Sequence, residues 1–121
     1  MATVGLGIDL IEISRVERAL ERHPRLADRL FTEAELEYST ARGRPGRHLA
    51  ARFAAKEAAV KAMSLSPGVR LKDIEVVSGT PPEFRFHREV AATASERRLS
   101  VRVSLTHDRE TAGAVAIAEV N

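Results

Sequence analysis

The sequence predicts an α+β protein in which a mostly antiparallel sheet packs on one long central helix. Apolar residues alternate with polar or small ones in several stretches, a period typical of strands with one buried face. An alanine-rich segment, His48 to Met63, has the length and composition of a central helix. The elements follow one another as strand, helices, strands, helix and hairpin, an order that favours an antiparallel sheet over alternating parallel units.

The chain is long enough for one domain and too short for two ordinary ones, so residues 1–121 are expected to form a single domain. Its composition, 44% apolar and 30% charged, is typical of globular proteins, and the absence of cysteine excludes disulfides and thiolate metal sites. No apolar run approaches the ~20 residues of a membrane-spanning helix, and the N-terminus lacks a basic secretory start, which predicts a cytosolic protein without membrane contact. The net charge of +2 is too small to predict nucleic-acid binding.

The first strand combines two alternating sets of residues: Val4, Leu6, Ile8 and Leu10 on one face, and Gly5, Gly7 and Asp9 on the other. The apolar set is predicted to be the buried face. The glycines leave the Asp9 face open to another backbone or to a ligand.

Two capping boxes predict the helices that follow. Ser14 with Glu17 begins a helix that ends near Arg22. Thr32 with Glu35 begins a second one. The central helix over His48–Met63 comes after a loop over 41–47, and Ser64 to Gly68 ends it. The remaining segments are predicted as strand, strand, helix, strand and strand: 73–78, 83–87, 89–98, 101–106 and 112–120.

Asp9 and Glu57 are candidate ligands of a hard cation, because Mg2+ prefers one or two carboxylates and completes its shell with water and phosphate oxygens. The alternative gives them ordinary roles: Asp9 caps the next helix, and Glu57 pairs with Lys61 one turn along. His107 and Asp108, at a turn after a strand, are either turn residues or a pair that binds phosphate or moves a proton.

Arginines cluster in two places. Arg15, Arg18 and Arg22 form a ridge on the first predicted helix, either a solvated face or a docking surface for an acidic helix. A second basic cluster surrounds the loop before the central helix and comprises Arg42, Arg44, Arg47, His48 and Arg52. It suits phosphate binding, or solubility alone. Because it has little aromatic interleaving, it does not favour single-stranded nucleic acid.

Three segments resemble one known family: GLGIDLIEI at Gly5–Ile13, RFAAKEA at Arg52–Ala58 followed by Lys61-Ala62, and SLTHD at Ser104–Asp108. Their order and spacing are similar to those of the holo-[acyl-carrier-protein] synthases, the small bacterial class of 4'-phosphopantetheinyl transferases, over essentially the whole chain. The resemblance implies the fold of that family. It also implies Mg2+-dependent transfer of 4'-phosphopantetheine from coenzyme A to a serine of apo acyl carrier protein, with release of adenosine 3',5'-bisphosphate.

The resemblance further implies roles for individual residues. Asp9 and Glu57 would hold the metal, and Lys61 would lie near the reacting phosphate. The residues expected at the coenzyme A site are Arg44, Arg52, Lys56, Lys61, Pro81 and His107. The residues expected to receive the carrier protein are Arg15, Arg18 and Arg22. Members of the family are typically homotrimers with active sites between subunits.

The acceptor serine must lose its proton as it attacks, so the reaction needs a base. The candidates are Glu57, Asp9 and Asp108, in that order, or a metal-bound water. Together with Lys61 and His107, Glu57 and Asp108 make up the expected catalytic set. The turn at Ser64–Gly68 departs from the glycine-rich turn of many family members. The alternative function is a non-catalytic basic module that binds an acidic protein or a nucleic acid.

Overall fold

The computed structural model describes all 121 residues and contains one five-stranded sheet and five α-helices. In chain order the elements are β1 (Ala2–Glu12), α1 (Ile13–Arg22), α2 (Leu26–Leu30), α3 (Glu33–Thr40), α4 (Pro45–Met63), β2 (Ile74–Val77), β3 (Glu83–Phe86), α5 (Arg88–Glu96), β4 (Leu99–His107) and β5 (Thr111–Val120), with a 3-10 turn at Leu71–Asp73. The strand order is β1-β5-β4-β3-β2, and every neighbouring pair is antiparallel. The predicted fold class is confirmed. None of the helices has the length and apolar content needed to cross a bilayer.

Helix α4 covers one face of the sheet and supplies much of the core. Its alanines Ala54, Ala55, Ala58 and Ala62 are buried against the alanines of β5, among them Ala114, Ala116 and Ala118. Small side chains on both surfaces let the helix and the sheet approach closely. This close approach explains how a chain with only 4% aromatic residues builds a core.

The predicted buried face of β1 is wrong. Gly5 and Gly7 face α4, and a Cβ on Gly7 would lie 1.9 Å from the carbonyl oxygen of Ala58. The backbone of α4 therefore occupies the space that side chains would need, and Asp9 lies on this same face of the strand. The apolar set points away from the helix: Leu6, Ile8 and Leu10 are 66%, 67% and 73% exposed.

The two predicted capping boxes have different outcomes. Thr32 caps α3 as expected: its hydroxyl accepts from the Glu35 N–H at 3.2 Å, and the Glu35 carboxylate accepts from the Thr32 N–H at 2.8 Å. The box at Ser14 and Glu17 is wrong, because α1 begins before Ser14 and has no side-chain cap.

The central helix begins at Pro45, earlier than the predicted His48. Proline is favourable at the first helical position, because its missing N–H would have no partner there. Arg44 precedes it in the left-handed conformation, with φ of 53°, and ends the loop. The helix ends at Met63 as predicted. The later strands and α5 also form where predicted, with bounds that differ by at most two residues.

Candidate active site

An open groove of about 660 Å³ lies between α1, α2, β1 and α4, and Asp9 and Glu57 both line it. Apolar side chains form much of the remaining lining, among them Leu20, Leu26, Leu30 and Phe53. We call this feature the α1–α4 groove. Two carboxylates that lie far apart in the sequence are thus brought to one surface, because β1 packs lengthwise on α4 through its glycine face.

The environment of Glu57 disfavours its charged form. Partial burial raises the pKa of the Glu57 carboxyl, and the negative charge of Asp9 raises it further, while Lys61 opposes both effects. Both carboxylates line the α1–α4 groove, close enough for the charge of Asp9 to act on Glu57. A cation placed between them would relieve that repulsion.

Lys61 reaches across from α4 to β1. Its ammonium donates to the Ile8 carbonyl oxygen at 2.8 Å and to Asp9 Oδ1 at 3.3 Å. The sequence alternative, an ordinary Glu57–Lys61 pair along the helix, is not among the ion pairs of the structure. Lys61 therefore forms an ion pair with Asp9 and not with Glu57.

The donor atoms at this place suit a hard divalent cation. Two carboxylates and a backbone carbonyl are all oxygen ligands, the class that Mg2+ prefers. The ammonium of Lys61 already bridges two of these oxygens, and it therefore stands where a cation is stabilised. No three acidic or histidine side chains are placed so that they could hold a metal ion together, so water and a ligand would have to complete the coordination of a metal.

A second group of residues surrounds Tyr38, near the start of α4. The Arg42 and Arg52 guanidinium carbons lie 3.4 Å and 4.0 Å from the centre of the Tyr38 ring. The His48 ring stands edge-on to Tyr38 and to His107, at 5.9 Å in each case. We call this group the Tyr38 cluster. Through Tyr38 and His48, the cluster links Arg52 to His107, and both of these residues are expected at the coenzyme A site. The cation–π contacts with Tyr38 hold Arg42 and Arg52 in place.

The Tyr38 cluster, together with the neighbouring Arg47, brings several positive charges close to His48. The Nε atoms of Arg47 and Arg52 are buried and have no hydrogen-bond partner. Burial lowers the pKa of His48, and the surrounding cations, Arg47 first, lower it further. An anion such as a phosphate group would stabilise positive charges held this close together.

Sequence reasoning missed Tyr38. The signal was available, because Tyr38 and Arg42 are four residues apart at the end of a predicted helix, which places them on one face. The predicted basic cluster begins at Arg42, in the loop, whereas the ring that Arg42 and Arg52 contact belongs to α3.

Arg44 is held by α1 rather than left free. Its Nε and Nη2 donate to the two carboxylate oxygens of Glu17 at 3.2 Å and 3.1 Å, and Nη1 donates to the Arg109 carbonyl. Gly46 makes room for this pair, since a Cβ there would lie 2.3 Å from Glu17 Cγ. Of the five N–H groups of the guanidinium, one on each terminal nitrogen remains for another acceptor.

Lys56 lies in the core and not at a surface. Its side chain is 0% exposed, and its ammonium donates to Glu35 Oε1 at 2.8 Å and to the carbonyls of Leu71 and Ile74 at 3.0 Å and 2.7 Å. All three N–H groups are therefore used within the protein. In this arrangement Lys56 presents no donor to a coenzyme A phosphate.

Pro81 and Asp108 occupy other surroundings. Pro81 lines a separate groove on β3, β4 and β5, with Val115 and Ile117, which shares no residue with the α1–α4 groove. Asp108 Oδ1 accepts from the backbone N–H groups of Glu110 and Thr111 at 2.9 Å and 2.7 Å. The Thr111 and Glu110 amides lower the pKa of Asp108, so this carboxylate is a weak proton acceptor.

The arginine ridge on α1 is exposed and borders the groove. Arg15 lines the α1–α4 groove, and Arg22 lines a neighbouring basic pocket with Arg25 and Arg29 of the next segment. The ridge thus continues past Pro24 onto α2, beyond the three arginines predicted to form it. The continuing spacing of three and four residues was the available signal, but the proline concealed it.

Comparison with known proteins identifies the family of the chain's relatives. Residues 5–116 match the family model described as the 4'-phosphopantetheinyl transferase superfamily. The holo-[acyl-carrier-protein] synthase of Moorella thermoacetica is 48% identical over 117 residues, which cover 93% of this chain and 91% of that protein. The Chronobacterium ammoniagenes ACPS–CoA complex has a TM-score of 0.87 at 27% identity, with 100% of this chain and 99% of that chain covered. A Bacillus anthracis holo-(acyl-carrier-protein) synthase in complex with CoA (3',5'-ADP) has a TM-score of 0.79 at 30% identity, with 100% of both chains covered.

Proposed function

This chain belongs to the 4'-phosphopantetheinyl transferase superfamily, and we propose that it transfers 4'-phosphopantetheine from coenzyme A to a serine of apo acyl carrier protein. It is an enzyme of the holo-[acyl-carrier-protein] synthase type. The observation that carries the proposal is the presence of Asp9 and Glu57 in one groove, with Lys61 on Asp9. The complexes of its relatives with CoA and with 3',5'-ADP support the donor and the released product, adenosine 3',5'-bisphosphate.

The transfer forms a bond between the serine Oγ and the phosphorus on the pantetheine side of the pyrophosphate. The P–O bond to the adenosine bisphosphate breaks, and that group leaves with the bonding electrons. The serine proton passes to a base. Glu57 is the first candidate for this base, followed by Asp9 and then Asp108, whose pKa is lowered by the backbone amides of Thr111 and Glu110.

Asp9 and Glu57 would hold Mg2+, which when bound supplies positive charge to the pyrophosphate oxygens. Lys61 would place its ammonium against the oxygens of the transferring phosphoryl group. Arg52 and His107 would bind a second phosphate through the Tyr38 cluster, and the remaining N–H groups of Arg44 would contribute there. Lys56 and Pro81 would act indirectly, from the core and from a neighbouring groove.

The function is tested by mixing the protein with coenzyme A, Mg2+ and an apo acyl carrier protein and measuring the mass of the carrier. We expect the mass of one phosphopantetheine to be added, and none to be added when Mg2+ is removed with a chelator. An unmodified carrier would contradict the proposal. Salt-sensitive binding of an acidic protein or a nucleic acid, without affinity for coenzyme A, would then support the basic-module alternative.

Docking of the carrier protein is proposed for the α1 ridge. Arg15→Glu is expected to raise the KM for the carrier by about tenfold, since it replaces an attraction to acidic side chains by a repulsion. The KM for coenzyme A should change less than the KM for the carrier. Arg70→Glu is the matched control, because Arg70 is exposed but lies outside the ridge. Equal effects of the two substitutions on the carrier KM would remove the ridge from the docking surface.

A homotrimer is proposed as the working assembly of this single domain in the cytosol. The exposed side chains Leu6, Ile8 and Leu10 form a continuous apolar face with Val115 and Ile117 of β5. Apolar surface of this kind is typical of an interface between subunits. Light scattering should give three times the chain mass of 13.3 kDa, and Ile8→Asp should lower it. A monomer mass for the unaltered protein would contradict the trimer.

A further inference from the structure

The ammonium of Lys61 lies on the oxygens that a metal at Asp9 would need. It is 3.3 Å from Asp9 Oδ1 and 2.8 Å from the carbonyl oxygen of Ile8. Asp9 has no other ion-pair partner, and Glu57 has none. In the protein without ligands, one of the two carboxylates therefore has a counter-ion from within the chain, while the other forms no ion pair.

Two carboxylates, Asp9 and Glu57, are available to the Lys61 ammonium, and it pairs with Asp9. Glu57 is one helical turn away on the same face of α4, where a Glu-to-Lys pair forms readily. The side chain instead crosses to β1, where the carbonyl of Ile8 adds a second acceptor that Glu57 cannot supply. The Lys61 side chain is 53% exposed, so this contact is weak enough to be exchanged for a better one.

We propose, on the premise of the function proposed above, that Lys61 is the free enzyme's own cation at the metal site and must leave Asp9 before a divalent ion can bind there. A pyrophosphate gives the displaced ammonium a new anionic partner, whereas a metal ion arriving alone gives it none. The site therefore resists a bare divalent ion and accepts one together with the donor. Lys61 thus has two successive partners, Asp9 before the donor binds and the donor's phosphate afterwards.

Binding of Mn2+ tests this exchange without any turnover, because free Mn2+ is measured by electron paramagnetic resonance in the absence of carrier protein. The unaltered protein, Lys61→Met and Lys72→Met are each titrated with and without saturating coenzyme A. Lys72 is the matched control, since it lies on the 3-10 turn away from the groove. Without coenzyme A, we expect Lys61→Met to bind Mn2+ about tenfold more tightly than the unaltered protein, because the competing charge is gone. Lys72→Met should bind as the unaltered protein does.

With coenzyme A present, the advantage of Lys61→Met should disappear, because the ammonium then contributes to donor binding. Lys61→Arg, which keeps the charge, should bind Mn2+ weakly without coenzyme A. Equal or weaker Mn2+ binding by Lys61→Met without coenzyme A would overturn the inference, and so would a gain that is the same with and without the donor. In both cases Mn2+ still binds, and the proposed function stands. If Mn2+ binds none of the proteins even with coenzyme A, the metal site and this inference fail together.

Discussion

Replacing Glu57 by Gln is expected to abolish turnover and, at the same time, to raise the temperature at which the protein unfolds. The substitution removes one of the two carboxylates proposed to hold Mg2+, and the loss of such a charge in the transition state reduces the rate by at least about a hundredfold. The folded protein gains stability because partial burial and the charge of Asp9 both disfavour an ionised side chain at this position. Glu57 thus lowers the stability of the fold, a cost that is common for residues required at active sites.

The stabilisation by Glu57→Gln should depend on pH in a defined direction. The pKa of Glu57 is raised above its ordinary value of 4.5, so the carboxyl binds its proton more tightly in the folded than in the unfolded state. At neutral pH the folded protein carries the unfavourable charge, and the variant should unfold at a temperature a few degrees higher. As the pH falls through the raised pKa towards 4.5, Glu57 becomes neutral and the difference should vanish.

Thermal unfolding monitored by circular dichroism, at several values of pH, measures this effect. Glu37→Gln is the control, because Glu37 is exposed on α3 and its side chain has no partner. The control should leave both turnover and unfolding temperature nearly unchanged. A Glu57→Gln variant that unfolds at a lower temperature than the unaltered protein at neutral pH would show that the carboxylate stabilises the fold, contrary to the electrostatic argument.

The first strand shows what alternation can and cannot predict. The period-two pattern of residues 4–10 correctly predicted a strand, but the choice of its buried face was wrong. Hydrophobicity alone favours burial of the apolar set, whereas a helix backbone that approaches within contact distance requires glycine on the facing side. The glycines indicated that a backbone could approach this face, but which element does so depends on α4, about fifty residues away in the chain.

The candidate site was predictable to the extent that its residues lie on regular elements. Asp9 follows from the alternation of β1, and Glu57 and Lys61 follow from the helical period of α4, so their meeting requires only that the two elements pack. Lys56 could not be placed in this way. A lysine on an otherwise apolar stripe is expected to extend to solvent, and only the distant Glu35 makes its burial possible.

Lys56 and Glu35 form the most deeply buried ion pair of the chain, with both side chains 0% exposed. The Glu35 carboxylate also accepts from the N–H groups of Thr32 and Val76, at 2.8 Å and 2.9 Å. The pair therefore joins α3, α4 and β2. Burial lowers the pKa of Lys56, and the negative charge of Glu35 opposes that change.

Lys56→Met is expected to lower the free energy of unfolding by about 3–5 kcal/mol, because it leaves the Glu35 carboxylate buried without a counter-charge. The carbonyls of Leu71 and Ile74 also lose their donor. Such a loss is a large part of the roughly 5–15 kcal/mol that stabilises a domain of this size. Urea denaturation followed by circular dichroism measures it, with Lys72→Met as a control of the same chemistry at a partly exposed lysine.

The double variant Glu35→Gln/Lys56→Met separates the charge from the packing. Because Gln carries no charge to be left unpaired, the double variant should be more stable than Lys56→Met alone, even though one hydrogen bond to Thr32 or Val76 is weakened. The same proteins decide between the two roles considered for Lys56. If Lys56 bound coenzyme A directly, Lys56→Met would raise the KM for coenzyme A with little loss of stability, and the double variant would not differ from it in stability. The buried geometry predicts the opposite: a large loss of stability in the single variant and partial recovery in the double.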